Sequence, residues 1–104
     1  SKAIKRAKKI CPGASLFVDE LFTFQTGIGQ PKFNLVVACE VLYYIKDVSA
    51  AISKLNELGE YCLVSYFHGE ISTLDKYFES FSNIEKTLIQ FNDTQWRILW
   101  WKSP

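Results

Sequence analysis

The segment from Phe33 to Ile45 constrains the fold more than any other part of the chain. Residues 33–38 form a short, mostly apolar run with two adjacent valines, which is typical of a strand in a sheet covered on both faces. Glu40, Tyr43 and Tyr44 follow at once. Because open α/β sheets bind ligands beyond the carboxyl ends of their strands, this order predicts an interior strand that brings an acid and phenols to a ligand site.

The size of the chain allows one domain. A chain of 104 residues can bury a single core but is too short for a two-domain enzyme. Hydrophobic residues make up 48%, aromatic residues 15% and charged residues 22% of it, which argues against disorder and favours some apolar surface that meets a partner. No apolar stretch approaches the roughly 18 residues of a membrane span. We therefore expect a soluble, cytoplasmic protein that does not enter a membrane.

The cysteines and the histidine argue against metal chemistry. Cys11, Cys39 and Cys62 are odd in number, stand far apart and form no C-x-x-C pair. This pattern predicts reduced thiols rather than a disulfide framework or a zinc site. His68 is the only histidine, so a site built on several histidines is excluded. We expect no metal ion.

A basic segment opens the chain. Five of the twelve basic residues fall within positions 1–9, with no acid among them. Such a cluster can neutralise nucleic-acid phosphates. Ala3, Ile4, Ala7 and Ile10, however, recur at helical spacing, which makes the cations the solvated side of an amphipathic helix over residues 1–10. We favour this second interpretation and expect no nucleic-acid binding.

Periodicity and turn residues predict the other elements. Apolar spacing predicts a helix over residues 48–58, begun by Asp47 or Ser49 and ended by Gly59. A further helix carries Leu74, Tyr77, Phe78 and Phe81, with Ser72 and Asp75 spaced like a capping box. Strands are predicted over residues 14–18, 33–38, 61–67, 84–91 and 95–101. The predicted order is α-β-β-α-β-α-β-β.

Two turns separate these elements. Gly27, Ile28 and Gly29 lie in a turn-rich connection that lacks the third glycine and the following helix of a phosphate-binding loop. We interpret this connection as a turn and not as a phosphate-binding loop. The polar residues 92–94 join the last two strands, which predicts an antiparallel hairpin.

In this order the segments resemble the C-terminal part of a class I S-adenosylmethionine-dependent methyltransferase, nearest to the nodulation-protein-S type. Residues 16–21 look like the third strand of that fold with its acidic end. Residues 33–45 are similar to the family segment FDLVVCSEVLYYL at the fourth strand. The helix and strand of residues 48–67 resemble the next helix and strand of that fold, and the closing hairpin, ending in Trp100 and Trp101, resembles the reversed final strands.

The resemblance covers essentially the whole chain but only the later part of such a domain. It implies a single truncated domain over residues 1–104, with a partial Rossmann-like α/β sheet that lacks the first two strands. The family's glycine-rich cofactor loop and its ribose-binding acid have no counterpart in this sequence. We therefore expect the isolated chain to be inactive.

The resemblance also implies site residues and S-adenosylmethionine as cofactor. Asp19, Glu20 and Leu21 correspond to the adenine contacts. Ala38, Cys39, Glu40 and Tyr44 correspond to contacts with the methionine part and the sulfonium, whose charge a phenol ring can face. Tyr43 and His68 are the candidate catalytic residues, His68 as a general base toward a small amine or hydroxyl acceptor.

Each candidate has a structural alternative. Glu40 can cap the following segment, and the two tyrosines can be wall or core. Asp19 and Glu20 can be a solvated strand end, and His68 a surface residue. The tryptophans at positions 96, 100 and 101 can stack on bases, but alternation within a hairpin favours packing or an interface.

The missing strands leave the pairing of residues 14–18 open. This strand can close beside residues 33–38 in either direction, another copy can pair there, or a separate polypeptide can supply the missing part. A bare edge at Val36 and Val37 would attract a partner strand, so we expect a homo-oligomer or a complementing chain at the 33–38 edge. The leading hypothesis is methyl transfer to a small acceptor. The alternative is a non-catalytic α/β interaction module.

Overall fold

The computed structural model describes residues 1–16, 19–25 and 31–104, apart from the side chains of His68 and Ser72. The described chain is an α/β unit. It contains helices α1 (Lys2–Ile10), α2 (Val48–Leu58) and α3 (Ile71–Leu74), and strands β1 (Phe33–Cys39), β2 (Gly59–Phe67), β3 (Ile84–Phe91) and β4 (Thr94–Lys102). Short 3-10 turns lie at residues 42–44, 68–70 and 75–78.

The four strands form one mixed sheet in the order β1-β2-β4-β3. β1 and β2 are parallel, and β4 lies antiparallel between β2 and β3. The predicted hairpin is confirmed: Phe91 pairs with Thr94 across a two-residue turn. Asn92 takes a left-handed conformation with φ of 54° there, which asparagine tolerates better than most residues.

Helix α2 covers one face of the sheet. Its apolar residues fall on one side because they recur every three to four positions. Val48, Ala51, Ile52, Leu55 and Leu58 are all buried. The first four of these pack with Cys62, Val64 and Tyr66 of β2 and with Leu99 and Trp101 of β4. Full burial of each aliphatic side chain contributes about 1.5–3 kcal/mol, so this interface is the main source of stability.

Both ends of α2 fall where the sequence predicts. The Asp47 carboxylate accepts a hydrogen bond from the Ala50 N–H at 3.0 Å, so Asp47 is the cap rather than Ser49. Gly59 follows the last helical residue but has an extended backbone and begins β2. A Cβ atom at Gly59 would lie 2.8 Å from Val36 Cγ2, so close approach to β1 requires glycine here.

The predicted helix around Leu74 is less regular than expected. Only residues 71–74 are α-helical, and 3-10 turns flank them on both sides. The capping box is wrong: the residue before the helix is Glu70, and its side chain makes no capping bond. The Asp75 carboxylate instead accepts hydrogen bonds from Tyr66 and Arg97 of the sheet. Leu74 and Phe78 are nevertheless buried, as their spacing predicts.

Helix α1 forms as predicted, and its Ser1 hydroxyl accepts a hydrogen bond from the Ile4 N–H. None of its residues is buried, and Ile10 is 78% exposed. The basic side chains are exposed, in agreement with a solvated face.

The predicted strand over residues 14–18 is not found in its described part. Residues 14–16 and 19–25 are bends, turns or irregular backbone, and Phe17 and Val18 lie outside the described residues. The connection at residues 26–30, with its two glycines, also lies outside them. Within the described residues the order is therefore α-β-α-β-α-β-β.

The interior position predicted for residues 33–38 is also wrong. β1 is an edge strand, since β2 is its only partner within the described residues. Val36 and Ala38 face the core, whereas Leu35 and Val37 are 52% and 51% exposed. The apolar run was misleading because one of its two faces is largely uncovered by the described residues. No helix in the described part of the chain has the length and apolar character needed to cross a bilayer.

Candidate functional site

The carboxyl ends of β1 and β2 hold a half-buried carboxylate. Glu40 follows the last residue of β1, and its N–H donates to the Ser65 carbonyl at 2.9 Å. Its side chain turns back toward β2, where Ser65 Oγ donates to Glu40 Oε2 at 2.8 Å. Within the described residues Oε1 has no hydrogen-bond partner. Glu40 is thus fixed at the sheet edge with one oxygen open to a ligand.

The backbone of Glu40 is strained. Its φ is 58°, and apart from Asn92 it is the only non-glycine residue in the described chain with a positive value. A left-handed glutamate costs about 1–2 kcal/mol because its Cβ approaches the following carbonyl. Such strain persists where the surroundings fix the residue, often at functional sites. The two hydrogen bonds to Ser65 supply that constraint here, and among the described residues no side chain caps the following turn of residues 42–44.

The 3-10 turn of residues 42–44 places Tyr43 beside Glu40. Leu42 is fully buried and anchors the turn in the core. The Tyr43 ring packs edge-on against Phe67 at the end of β2, with 5.1 Å between ring centroids. Desolvation, and then the nearby Glu40 carboxylate, raise the pKa of the Tyr43 phenol above its usual value. At neutral pH this phenol is therefore a hydrogen-bond donor, not a base.

The remaining candidates of this segment lie around the same strand end. The ring centroids of Tyr44 and Tyr43 are 4.6 Å apart, but Tyr44 is 81% exposed. Ala38 faces the core and is half-buried, whereas Cys39 is exposed on the opposite face. Alternation along β1 therefore separates these two neighbours, and it leaves Cys39 on the face of Ser65, its cross-strand partner in β2.

Asp19, Glu20 and Leu21 are not joined to this group by hydrogen bonds between described residues. Asp19 and Glu20 are exposed, and the Asp19 carboxylate accepts from the Glu20 N–H at 2.7 Å. Leu21 packs against the core. The two acids thus have the geometry of a solvated turn.

His68 begins the 3-10 turn that directly follows β2. Its backbone is therefore at the same edge of the sheet as Glu40, because β1 and β2 are parallel. The side chain of His68 lies outside what the structure describes.

Sequence reasoning missed the partner of Glu40. Ser65 is 8% exposed and is the buried polar residue of the sheet. Its signal is a hydroxyl inside the otherwise apolar and aromatic strand 61–67. A buried hydroxyl needs a hydrogen-bond partner, and an acid at the end of the neighbouring strand can provide it.

A second polar group that the sequence did not reveal joins the sheet to the α3 region. Tyr66 is fully buried, and its hydroxyl donates to Asp75 Oδ1. Arg97 Nη2 donates to Asp75 Oδ2 at 3.2 Å. Burial, and then the hydrogen bond to Asp75, raise the pKa of Tyr66 far above its usual value. The group is closed on itself, so we regard it as structural.

A cavity of about 280 Å³ lies at the opposite edge of the sheet. Asn56, Phe81 and Trp101 line it, together with Ser80, Ser82 and Asn83. The Trp101 indole N–H donates to Asn56 Oδ1 at 2.6 Å and so joins α2 to β4. None of the predicted site residues lines this cavity. The site around Glu40 is therefore not part of this cavity.

Comparison of the chain with protein-family models, with curated proteins and with solved structures gives no significant match in any of the three. The residues and their geometry are therefore the basis for any functional statement.

Proposed function

We propose that this chain belongs to an S-adenosylmethionine-dependent methyltransferase domain that transfers a methyl group to a small amine or hydroxyl acceptor. The observation that carries the proposal is Glu40, a strained carboxylate fixed at the carboxyl edge of two parallel strands. Its open oxygen suits the ammonium group of an amino-acid ligand. The reversed β4 next to β2 also agrees with the resemblance noted in the sequence.

The proposed reaction requires alignment of the methyl donor with the acceptor rather than a metal or a covalent intermediate. The cofactor, when bound, would supply a sulfonium methyl group, whose carbon the acceptor would attack in line while the C–S bond breaks and neutral S-adenosylhomocysteine leaves. In this proposal Glu40 binds the ammonium group of the ligand. Tyr43 lies next to the acceptor as a neutral hydrogen-bond donor, and Tyr44 presents its exposed ring to the sulfonium. His68 would accept the acceptor's proton. The unpaired thiols of Cys11, Cys39 and Cys62 agree with the cytoplasmic location that we propose.

Isothermal titration with S-adenosylhomocysteine tests the proposal on the chain as it exists. We expect a measurable heat of binding at millimolar ligand, and an affinity reduced about tenfold or more in Glu40→Gln, which corresponds to the loss of one charge-assisted hydrogen bond. Glutamine can still accept the Ser65 bond, so the fold is preserved.

Glu60→Gln is the matched control, because it makes the same charge change at the exposed, opposite end of β2. It should leave the affinity unchanged. No heat from a folded sample, or equal affinities for wild type and Glu40→Gln, would refute this assignment.

A non-catalytic interaction module remains the second candidate. The observation that favours it is the position of β1, whose outer edge has no partner strand among the described residues. The sequence predicts that a second copy or a complementing chain pairs at this edge. That pairing also stays a proposal, and a strictly monomeric chain in sedimentation would count against its homodimeric form.

A further inference from the structure

The sheet has one face that the described helices leave largely uncovered. Besides Cys39, Gly59, Ser65, Glu85, Thr87, Thr94 and Lys102, strand alternation and register assign eleven residues to this open face: 33, 35 and 37 of β1, 61, 63 and 67 of β2, 96, 98 and 100 of β4, and 89 and 91 of β3. All eleven are apolar or aromatic. Phe91 is 68% exposed, and Leu35 and Val37 are each about half exposed.

The area of this open face exceeds what a monomer ordinarily exposes. From their exposed fractions, its side chains present on the order of 800 Å² of mostly apolar surface. The largest apolar patch of a typical monomer is roughly 300–600 Å². A standard protein interface buries about 800 Å² on each partner. The open face therefore has the size of one complete interface.

We propose that a second copy of this chain covers the open face, with the two sheets packed face to face about a two-fold axis. An axis parallel to the strands places β4 over β2 of the other copy and β3 over β1. By the register of β2 with β4, Trp100 then stands over Leu63, and Ile98 over the small Ser65. Larger side chains thus meet smaller ones at both symmetry-related positions, as an isologous interface requires.

The charges on this face agree with such packing. Glu85 and Lys102 are the charged residues that the register assigns to it, and both lie near the same end of the sheet. Both are exposed. In the proposed dimer Glu85 and Lys102 remain at the rim, and the Glu40 carboxylate, which reaches this face beyond the end of β1, keeps its hydrogen bond from Ser65 Oγ. This interface is distinct from strand pairing at the β1 edge, because it uses side chains rather than free backbone groups.

Two adjacent residues of β3 provide a matched test. Ile89 lies on the open face and is 46% exposed, while Leu88 lies on the opposite face and is 45% exposed. Sedimentation velocity at micromolar concentrations should show a reversible dimer of the wild-type chain. Ile89→Lys should raise its dissociation constant at least about tenfold, because it puts two ammonium groups into the interface. Leu88→Lys should leave the constant within about twofold.

Phe91→Lys is a second variant of the same kind, which a monomer tolerates because this side chain is already 68% exposed. Circular dichroism establishes that each variant is folded. Tryptophan emission should shift to shorter wavelength as the wild-type dimer forms, since Trp96 and Trp100 lose water. A wild-type chain that stays monomeric, a dimer that Ile89→Lys leaves intact, or equal weakening by both β3 substitutions would overturn the proposal.

Discussion

The buried thiol of Cys62 should make the stability of the protein fall in alkaline solution. Cys62 is fully buried beneath α2, and its Sγ donates to the Leu55 carbonyl at 3.3 Å. Burial raises the pKa of this thiol from 9.0 to about 11. In the unfolded chain the thiol ionises near its ordinary pKa. Between these two values the unfolded state binds fewer protons than the native state, so the free energy of unfolding decreases as pH rises.

The size of the effect depends on the difference between the two pKa values. Below pH 9 the thiol is protonated in both states, and its contribution to stability is fully present. At pH 11 the unfolded thiol is almost fully ionised, whereas the native one is half ionised. With 1.36 kcal/mol for each pKa unit, the loss relative to neutral pH is about 2 kcal/mol at pH 11. This is a large fraction of the stability of a small domain.

Urea unfolding between pH 7 and 11, with a reductant present, measures this loss. Cys62→Ala is the comparison, because it removes the ionising group and leaves Cys11 and Cys39 exposed in both proteins. The variant should be less stable at neutral pH through the lost packing, but its stability should fall by about 2 kcal/mol less over the alkaline range. Parallel pH curves for the two proteins would refute the reasoning.

Two further predictions concern packing. Tyr66→Phe should lower the free energy of unfolding in urea by about 1–2 kcal/mol, because the Asp75 carboxylate loses a buried donor; Tyr44→Phe, at an exposed ring, should change it by less than about 0.5 kcal/mol. Gly59→Ala should lower the free energy of unfolding by about 1–3 kcal/mol, because the new Cβ would lie 2.8 Å from a β1 valine. Gly13→Ala is the control and should leave the free energy of unfolding unchanged, because there is open space around Gly13. Equal effects within either pair would contradict the contacts described.

Local sequence patterns were sufficient to predict the elements that depend on local interactions. Helix α2 has an apolar residue at each buried position and an aspartate at its cap, and both can be seen in the sequence. The closing hairpin likewise forms from two β-prone segments around a short polar turn. The position of one candidate was also predicted: Glu40 does lie at the carboxyl end of a parallel strand, next to Tyr43.

Non-local features could not be obtained in this way. The apolar run of β1 is equally compatible with an interior strand and with an edge strand that exposes one apolar face, and only the pairing decides between them. Asp75 has the spacing of a capping residue, but its partners come from β2 and β4, which are distant in sequence. The contact of Ser65 with Glu40 also joins two strands, so no local pattern contains it.

The place of β4 in the sheet has a consequence for synthesis. Residues Tyr61 to Phe67 of β2 pair along their whole length with Trp96 to Lys102 of β4. The central strand pair of the sheet therefore cannot form until β4, which is translated much later, is available. Until that segment leaves the ribosome, β2 presents a bare apolar edge that other nascent chains can capture. Such late, sequence-distant pairing slows folding, which makes this stage the one at which chaperones would protect the protein.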